Sequence, residues 1–287
     1  MGSDGYLYAG GLSYTAGEGW DLTVVKLNTS GTEEWVYIYL GAISLSEAWS
    51  IATGMDGNLY VAGVHTGTDR DFLVLSLTAL GHERWVRRHT GAGNEDEDAR
   101  SIVAGADGNV YVAGWTNEDG TMDFTVMSYD YDGNYRWTYR YGPDVWHDQA
   151  YSIVMGPDRN LFAAGRSGAT GTNFDFTVVS LTTDGLERWV YRYDGPGGLG
   201  DGARSIVIGR DGNVYAAGYS TGDVTGNDFT VLGLEHVLLS PLATAYNNGR
   251  KLCRVPGTDD LWVTYHSEDH VYAAFSPDGG SNLQISY

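Results

Sequence analysis

A module of roughly fifty residues, written five times over, constrains this chain more than any other feature. Its clearest copy reads Ala203-Arg204-Ser205-Ile206-Val207, then Asp211-Gly212-Asn213-Val214-Tyr215-Ala216-Ala217-Gly218. The same words return at Ala99 to Gly114, at Ala150 to Phe162 and at Ala48 to Tyr60, and the chain opens inside a further copy at Asp4-Gly5-Tyr6-Leu7-Tyr8-Ala9-Gly10. Trp35, Trp85, Trp137 and Trp189 are spaced by 50, 52 and 52 residues; Asp21, Asp71, Asp123, Asp175 and Asp228 step by 50, 52, 52 and 53. One unit repeated this closely cannot bury its own apolar face and must pack against its copies.

Each copy divides into four strand-like runs. The first is Ala-x-Ser-Ile-Val, and an Asp-Gly-Asn turn leads from it into an alternating aromatic run, Val-Tyr-Val-Ala-Gly. A polar loop of variable length precedes the third run, as at Asp175 to Leu181, and a second Gly-containing turn leads to the fourth, Arg188 to Tyr193. Four short strands per repeat predict an all-β propeller of six four-stranded blades, five alike and one divergent, in a single domain. The blade boundaries fall near 1–41, 42–92, 93–143, 144–196, 197–248 and 249–287. The first copy lacks its innermost strand. Leu283 to Tyr287 is read either as the fourth strand of the last blade or as the strand that completes the first.

The elements D-G-N-x-Y-x-A-G, D-F-x-V-x-x-L and W-x-x-x-Y across residues 1–235 resemble the SBBP-type β-propeller repeat. The tail, with Ser276-Pro277-Asp278-Gly279-Gly280-Ser281-Asn282-Leu283, is similar to the Asp box of BNR or sialidase-type blades, Leu283 standing for the usual Trp. The first resemblance implies a secreted or cell-surface module. In the second family the Asp box is a turn that stabilises the fold, remote from catalysis.

Charge and cysteine usage narrow the partners. A formal net charge of −20 repels nucleic acid and anionic membrane, and no run of 18 apolar residues forms a membrane span. The single cysteine, Cys253, excludes an intrachain disulfide and reads as an inert buried thiol.

Candidate sites lie where the copies differ. Variable loops gather on the face shared by the second-to-third connection and the link between blades. There the residue after the strand-two glycine changes from Val64 to Trp115, Arg166 and Tyr219, and Trp146 and His147 occupy one link. Trp115, Trp146, His147, Arg166 and Tyr219 are therefore the expected ligand-binding set, for a glycan or a protein partner. Glu95-Asp96-Glu97-Asp98, the densest acidic run, is a candidate for weak Ca²⁺ binding; no other cofactor is expected. The recurring aspartate of the third run reads as a strand-start residue accepting backbone N–H bonds. His266 and His270 read as turn residues, without the His-Glu-x-x-His pattern of a zinc hydrolase.

No carboxylate pair stands out as a glycosidase would require. The arginines concentrate in the fourth run, as Arg87, Arg88, Arg136, Arg140, Arg188 and Arg192, where they read as edge protection and disfavour a sialidase. The expected function is a non-enzymatic extracellular binding or scaffold module. The alternatives are a carbohydrate-binding or carbohydrate-active propeller and a subunit of a surface assembly.

Overall fold

The computed structural model describes residues 2, 4–17, 19–40, 45–91, 96–118, 120–142, 147–169, 172–222, 226–234, 250–254, 261–267, 270–276 and 284–286. Every described element is a β-strand, and the chain divides into two units, Met1–Leu234 and Glu235–Tyr287. None of the described residues belongs to a helix able to cross a membrane.

Five antiparallel meanders make the first unit. Strands β1 (Leu7–Thr15), β2 (Gly19–Leu27) and β3 (Glu33–Tyr39) form sheet one; β4 (Ser46–Thr53), β5 (Leu59–Thr66), β6 (Arg70–Leu77) and β7 (Glu83–His89) form sheet two. Sheet three holds β8 (Asp98–Ala104), β9 (Asn109–Asn117), β10 (Met122–Asp130) and β11 (Tyr135–Tyr141). Sheet four holds β12 (Gln149–Met155), β13 (Leu161–Ala169), β14 (Thr172–Leu181) and β15 (Glu187–Tyr193). Sheet five has β16 (Gly202–Ile208), β17 (Val214–Gly222) and β18 (Gly226–Leu234). Each sheet packs on the next, and β4, β8, β12 and β16 contact one another in succession as the inner strands of propeller blades.

The second unit is a separate meander of β19 (Arg250–Arg254), β20 (Leu261–Ser267), β21 (His270–Ser276) and β22 (Gln284–Ser286). Its last strand pairs with β21 through Ala273↔Ser286, Ala274↔Ile285 and Phe275↔Gln284. The Asp-box-like segment 277–283 lies outside the described residues.

The repeated words are explained by contacts that each blade makes with itself or with the next. In the Asp-Gly-Asn turn, Asp107 accepts the Asn109 N–H at 3.2 Å and the Tyr111 hydroxyl at 2.5 Å, so one carboxylate fixes both the turn and the ring four residues on. Asp56 and Asp211 do the same for Tyr60 and Tyr215. In the fourth copy Arg159 takes the glycine position at φ 63°, and Phe162 has no hydroxyl to offer.

The Ala-x-Ser run carries a bulge. Register shifts between Ala48 and Ser50, Ala99 and Ser101, Ala150 and Ser152, and Ala203 and Ser205. Beyond the bulge, the N–H of Ile102 donates to Ser50 Oγ at 3.2 Å, that of Ile153 to Ser101 Oγ at 3.2 Å and that of Ile206 to Ser152 Oγ at 3.3 Å. The bulged backbone presses against the strand-two glycine; Gly114 has no room for a Cβ beside the Asp98 carbonyl.

Apolar layers between sheets form the core. Tyr60, Phe72, Val74 and Trp85 meet Ala99, Ile102, Val112 and Met127 between sheets two and three, and equivalent layers lie on either side. Each fully buried large side chain contributes about 1.5–3 kcal/mol. Trp85 and Trp137 reach across to the turn of the following blade, donating Nε1–H to the carbonyls of Tyr131 and Thr183 at 3.0 Å each.

The strand-four arginines are not simply edge charges. Arg84 Nη1 bonds Ser76 Oγ, the Tyr60 hydroxyl and the Tyr131 carbonyl, and Arg136 Nη1 bonds Ser128 Oγ and the Thr183 carbonyl. Both side chains turn inward because the next blade's hairpin offers carbonyl groups that need donors.

Candidate functional site

At the end of the inner strands where the variable loops emerge, the bulge places residue x of Ala-x-Ser beside the residue after the strand-two glycine. The register pairs the residue before that Ala with it, Asp98 with Trp115, Gln149 with Arg166 and Gly202 with Tyr219, and x lies two residues on along the same strand. The outcome is a ladder of guanidinium groups and rings that crosses from blade to blade.

Arg100 is held between two indoles, its Cζ 4.0 Å from the Trp49 ring and 4.8 Å from that of Trp115. Trp115 meets Tyr151 edge-on at 6.0 Å, and Arg204 lies 4.5 Å from the Tyr151 ring and 5.5 Å from that of Tyr219. Arg166 stands 4.2 Å over Phe174, and its Nε and Nη2 donate to Gln149 Oε1 at 3.0 and 2.7 Å. The Tyr151 hydroxyl donates to the same oxygen at 2.5 Å. Each cation–π contact is worth about 0.5–2 kcal/mol.

Asp98 anchors the near end, 2.7 Å from Arg70 Nη2 and 3.0 Å from Arg100 Nη2. Burial pushes its carboxyl up to about 6, against the pull of the two arginines. Burial also lowers the Arg100 guanidinium and raises the Glu47 carboxyl. Four arginines, 70, 100, 166 and 204, thus converge in a chain with only 17 basic residues. Among the described residues Arg204 is exposed and held only by its two rings.

Of the residues expected from sequence, Trp115, Arg166 and Tyr219 belong to this ladder, joined through Tyr151. His147 does not: its Nδ1 accepts the Met122 N–H at 3.3 Å, at the start of β10. Trp146 and Glu95 lie outside the described residues. The remaining acidic run splits because strand geometry sends neighbours to opposite sides: Asp96 is exposed, Asp98 faces the ladder, and Glu97 faces His89 and Glu118.

Sequence reasoning passed over Trp49, Arg100, Tyr151, Gln149 and Arg204. For all but Gln149, which precedes the Ala, the signal was the free position x in an otherwise fixed Ala-x-Ser frame, filled by Trp, Arg, Tyr and Arg in turn.

Two of the recurring strand-three aspartates meet side chains as partners. Asp71 accepts the Thr90 hydroxyl at 2.8 Å and Asp175 pairs with Arg192 Nη2 at 2.7 Å. In sheets three to five, backbone amides go to the buried acid two residues before Ala-x-Ser, Glu97, Asp148 or Asp201. Asp148 takes the Gly168 N–H at 2.8 Å; Asp201 takes those of Thr221 and Gly195 at 2.8 and 2.7 Å. The linker acid wins because it enters the junction where strand ends leave amides unpaired.

Chemically, the ladder offers guanidinium groups and aromatic faces rather than a nucleophile or a free acid–base pair. Its one fully buried carboxylate is occupied by two arginines, and the Tyr151 hydroxyl is committed to Gln149. Elsewhere His65 Nδ1 lies 2.9 Å from Ser46 Oγ, but Ser46 is fully buried and cannot reach a substrate.

No family model matches the chain, and no curated protein matches it. Among solved structures it is similar to a protein of unknown function from Bacteroides caccae, at 14% identity over 96% of this chain and 94% of that one, with a TM-score of 0.45. A periplasmic gluconolactonase from Pseudomonas aeruginosa aligns at 14% identity over 98% and 99%, TM-score 0.37. A Hadza microbial sialidase aligns at 11% over 91% of this chain and 65% of its own length, TM-score 0.43.

Proposed function

We propose that this chain is a non-enzymatic extracellular or cell-surface binding propeller of six blades by count, and that its ligand is anionic and flat-faced, with an acidic glycan the best fit. One observation carries the reading: Arg100 and Arg204, each sandwiched between aromatic rings, flank Arg166 on a single face of a protein whose net charge is −20. Sugar faces stack on Trp and Tyr rings, and a carboxylate suits the planar fork of arginine. A positive patch inside an acidic surface also selects against neutral and cationic competitors.

The test is calorimetric titration with a uronic-acid oligosaccharide and with its neutral counterpart. The acidic compound is expected to bind, more weakly as salt rises, and Arg204→Met to reduce affinity about tenfold, the worth of one charge-assisted contact. Equal binding of the neutral sugar, or no binding of either, overturns the proposal.

A further inference from the structure

We propose that the junction between sheets two and three holds a divalent first-row transition ion, liganded by His89, Glu97 and Glu118. The donor atoms of these three residues lie within 4.8 Å of one another, contributed by the end of β7, the link into β8 and the loop after β9.

The second observation is an orphan oxygen. Glu97 is fully buried; its Oε1 accepts the N–H groups of Asn117, at 3.2 Å, and Gly91, while its Oε2 is buried with no partner. A buried carboxylate oxygen without a donor is costly, and a cation beside it removes that cost.

A third feature is where the repeat breaks. His89 stands where the other copies have Tyr39, Tyr141 and Tyr193, and Glu118 stands where they have Gly67, Ala169 and Gly222. Two metal-binding side chains thus enter one junction at positions that are otherwise aromatic or small. The junction between sheets four and five also gathers Asp175, Asp194 and Asp201, but that set holds no imidazole, and both Asp201 oxygens there already accept backbone amides.

One imidazole with two carboxylates suits Zn²⁺ or a neighbouring ion; Ca²⁺ prefers six to eight oxygens. His89 Nε2 lies 2.8 Å from Glu118 Oε1, and Arg140 Nη2 lies 2.5 Å from that same oxygen. Both contacts fall on Oε1, and metal binding requires that His89 turn its nitrogen from Glu118 to the ion.

Untagged, chelator-treated full chain is titrated with Zn²⁺, and Co²⁺ is followed by its visible ligand-field bands. One equivalent is expected to bind, with Co²⁺ displaced by Zn²⁺. His89→Tyr and Glu118→Gly install residues the other copies use at these positions, so the fold has a precedent for both, checked by circular dichroism. Each is expected to lower affinity by at least about tenfold, the loss that even outer-shell changes cause. Absence of stoichiometric Zn²⁺ and Co²⁺ binding, unchanged affinity in both variants, or binding of Ca²⁺ alone overturns the assignment. Glycan binding at the arginine ladder is a separate readout, so either proposal can fail without the other.

Discussion

The indole nitrogen of Trp85 donates to the carbonyl of Tyr131, 46 residues further along and one blade away, at 3.0 Å. The same oxygen accepts from Arg84 Nη1 at 2.9 Å, so the Arg-Trp pair grips a single carbonyl. Trp85→Phe keeps most of the apolar contact but loses this bond. It is expected to cost about 1–3 kcal/mol in urea unfolding. A loss below about 0.5 kcal/mol, the range of neutral surface changes, would show that the tryptophan acts only as bulk.

Two glycines with nearly equal backbone angles separate strain from crowding. Gly108 has φ +81° and open space around a built Cβ; Gly133 has φ +79°, and its Cβ would sit 2.6 Å from the Trp85 ring. Gly108→Ala is expected to cost about 1 kcal/mol, from the left-handed backbone alone. Gly133→Ala must also displace the indole and should cost clearly more, by about 1–3 kcal/mol, a ranking that thermal or urea denaturation reads directly.

Arg159 offers the opposite experiment. It is the one described non-glycine residue at positive φ, 63°, in a turn where the equivalent positions hold Gly57, Gly108 and Gly212. Arg159→Gly is expected to stabilise by about 0.5–1 kcal/mol, because the native angle disfavours a Cβ more than glycine costs the unfolded chain. A destabilised variant would mean that the arginine side chain outweighs its backbone.

Asp4 sets a pH dependence at the acid end. Burial pushes its carboxyl up, but bonds from the Tyr8 hydroxyl, Lys26 and the Tyr6 amide outweigh this and hold it at about 2, below the ordinary 3.8. A depressed folded value means the stabilisation is present above about pH 4 and is lost as pH falls toward 2. After allowance for solvent screening it amounts to about 1 kcal/mol. The stability gap between wild type and Asp4→Asn should close over that interval; a gap constant from pH 5 to 2 would contradict the assignment.

What the sequence made legible follows from how local each signal is. Asp107, Gly108, Asn109 and Tyr111 are contiguous, and their turn can be read from spacing alone. The Trp85 to Tyr131 bond is legible only as a period, because its partner is a backbone carbonyl that carries no residue signature. The arginine ladder is half visible in the sequence: Trp115, Arg166 and Tyr219 vary after a fixed glycine and stand out for it. Arg100 and Arg204 sit inside the repeated word itself, where sameness of the flanks concealed the variable position. Glu97, Asp148 and Asp201 were overshadowed by the more regular strand-three aspartates, since regular spacing does not tell which carboxylate meets unpaired amides.

The serine bridges between Ser50 and Ile102, Ser101 and Ile153, and Ser152 and Ile206 join only adjacent blades. Cohesion is therefore handed along like links in a chain, and no single blade holds the rest. A gene that gains or loses one whole link preserves every joint except those at the splice. Such a protein can grow or shorten by duplication and deletion without disturbing the joints away from the splice.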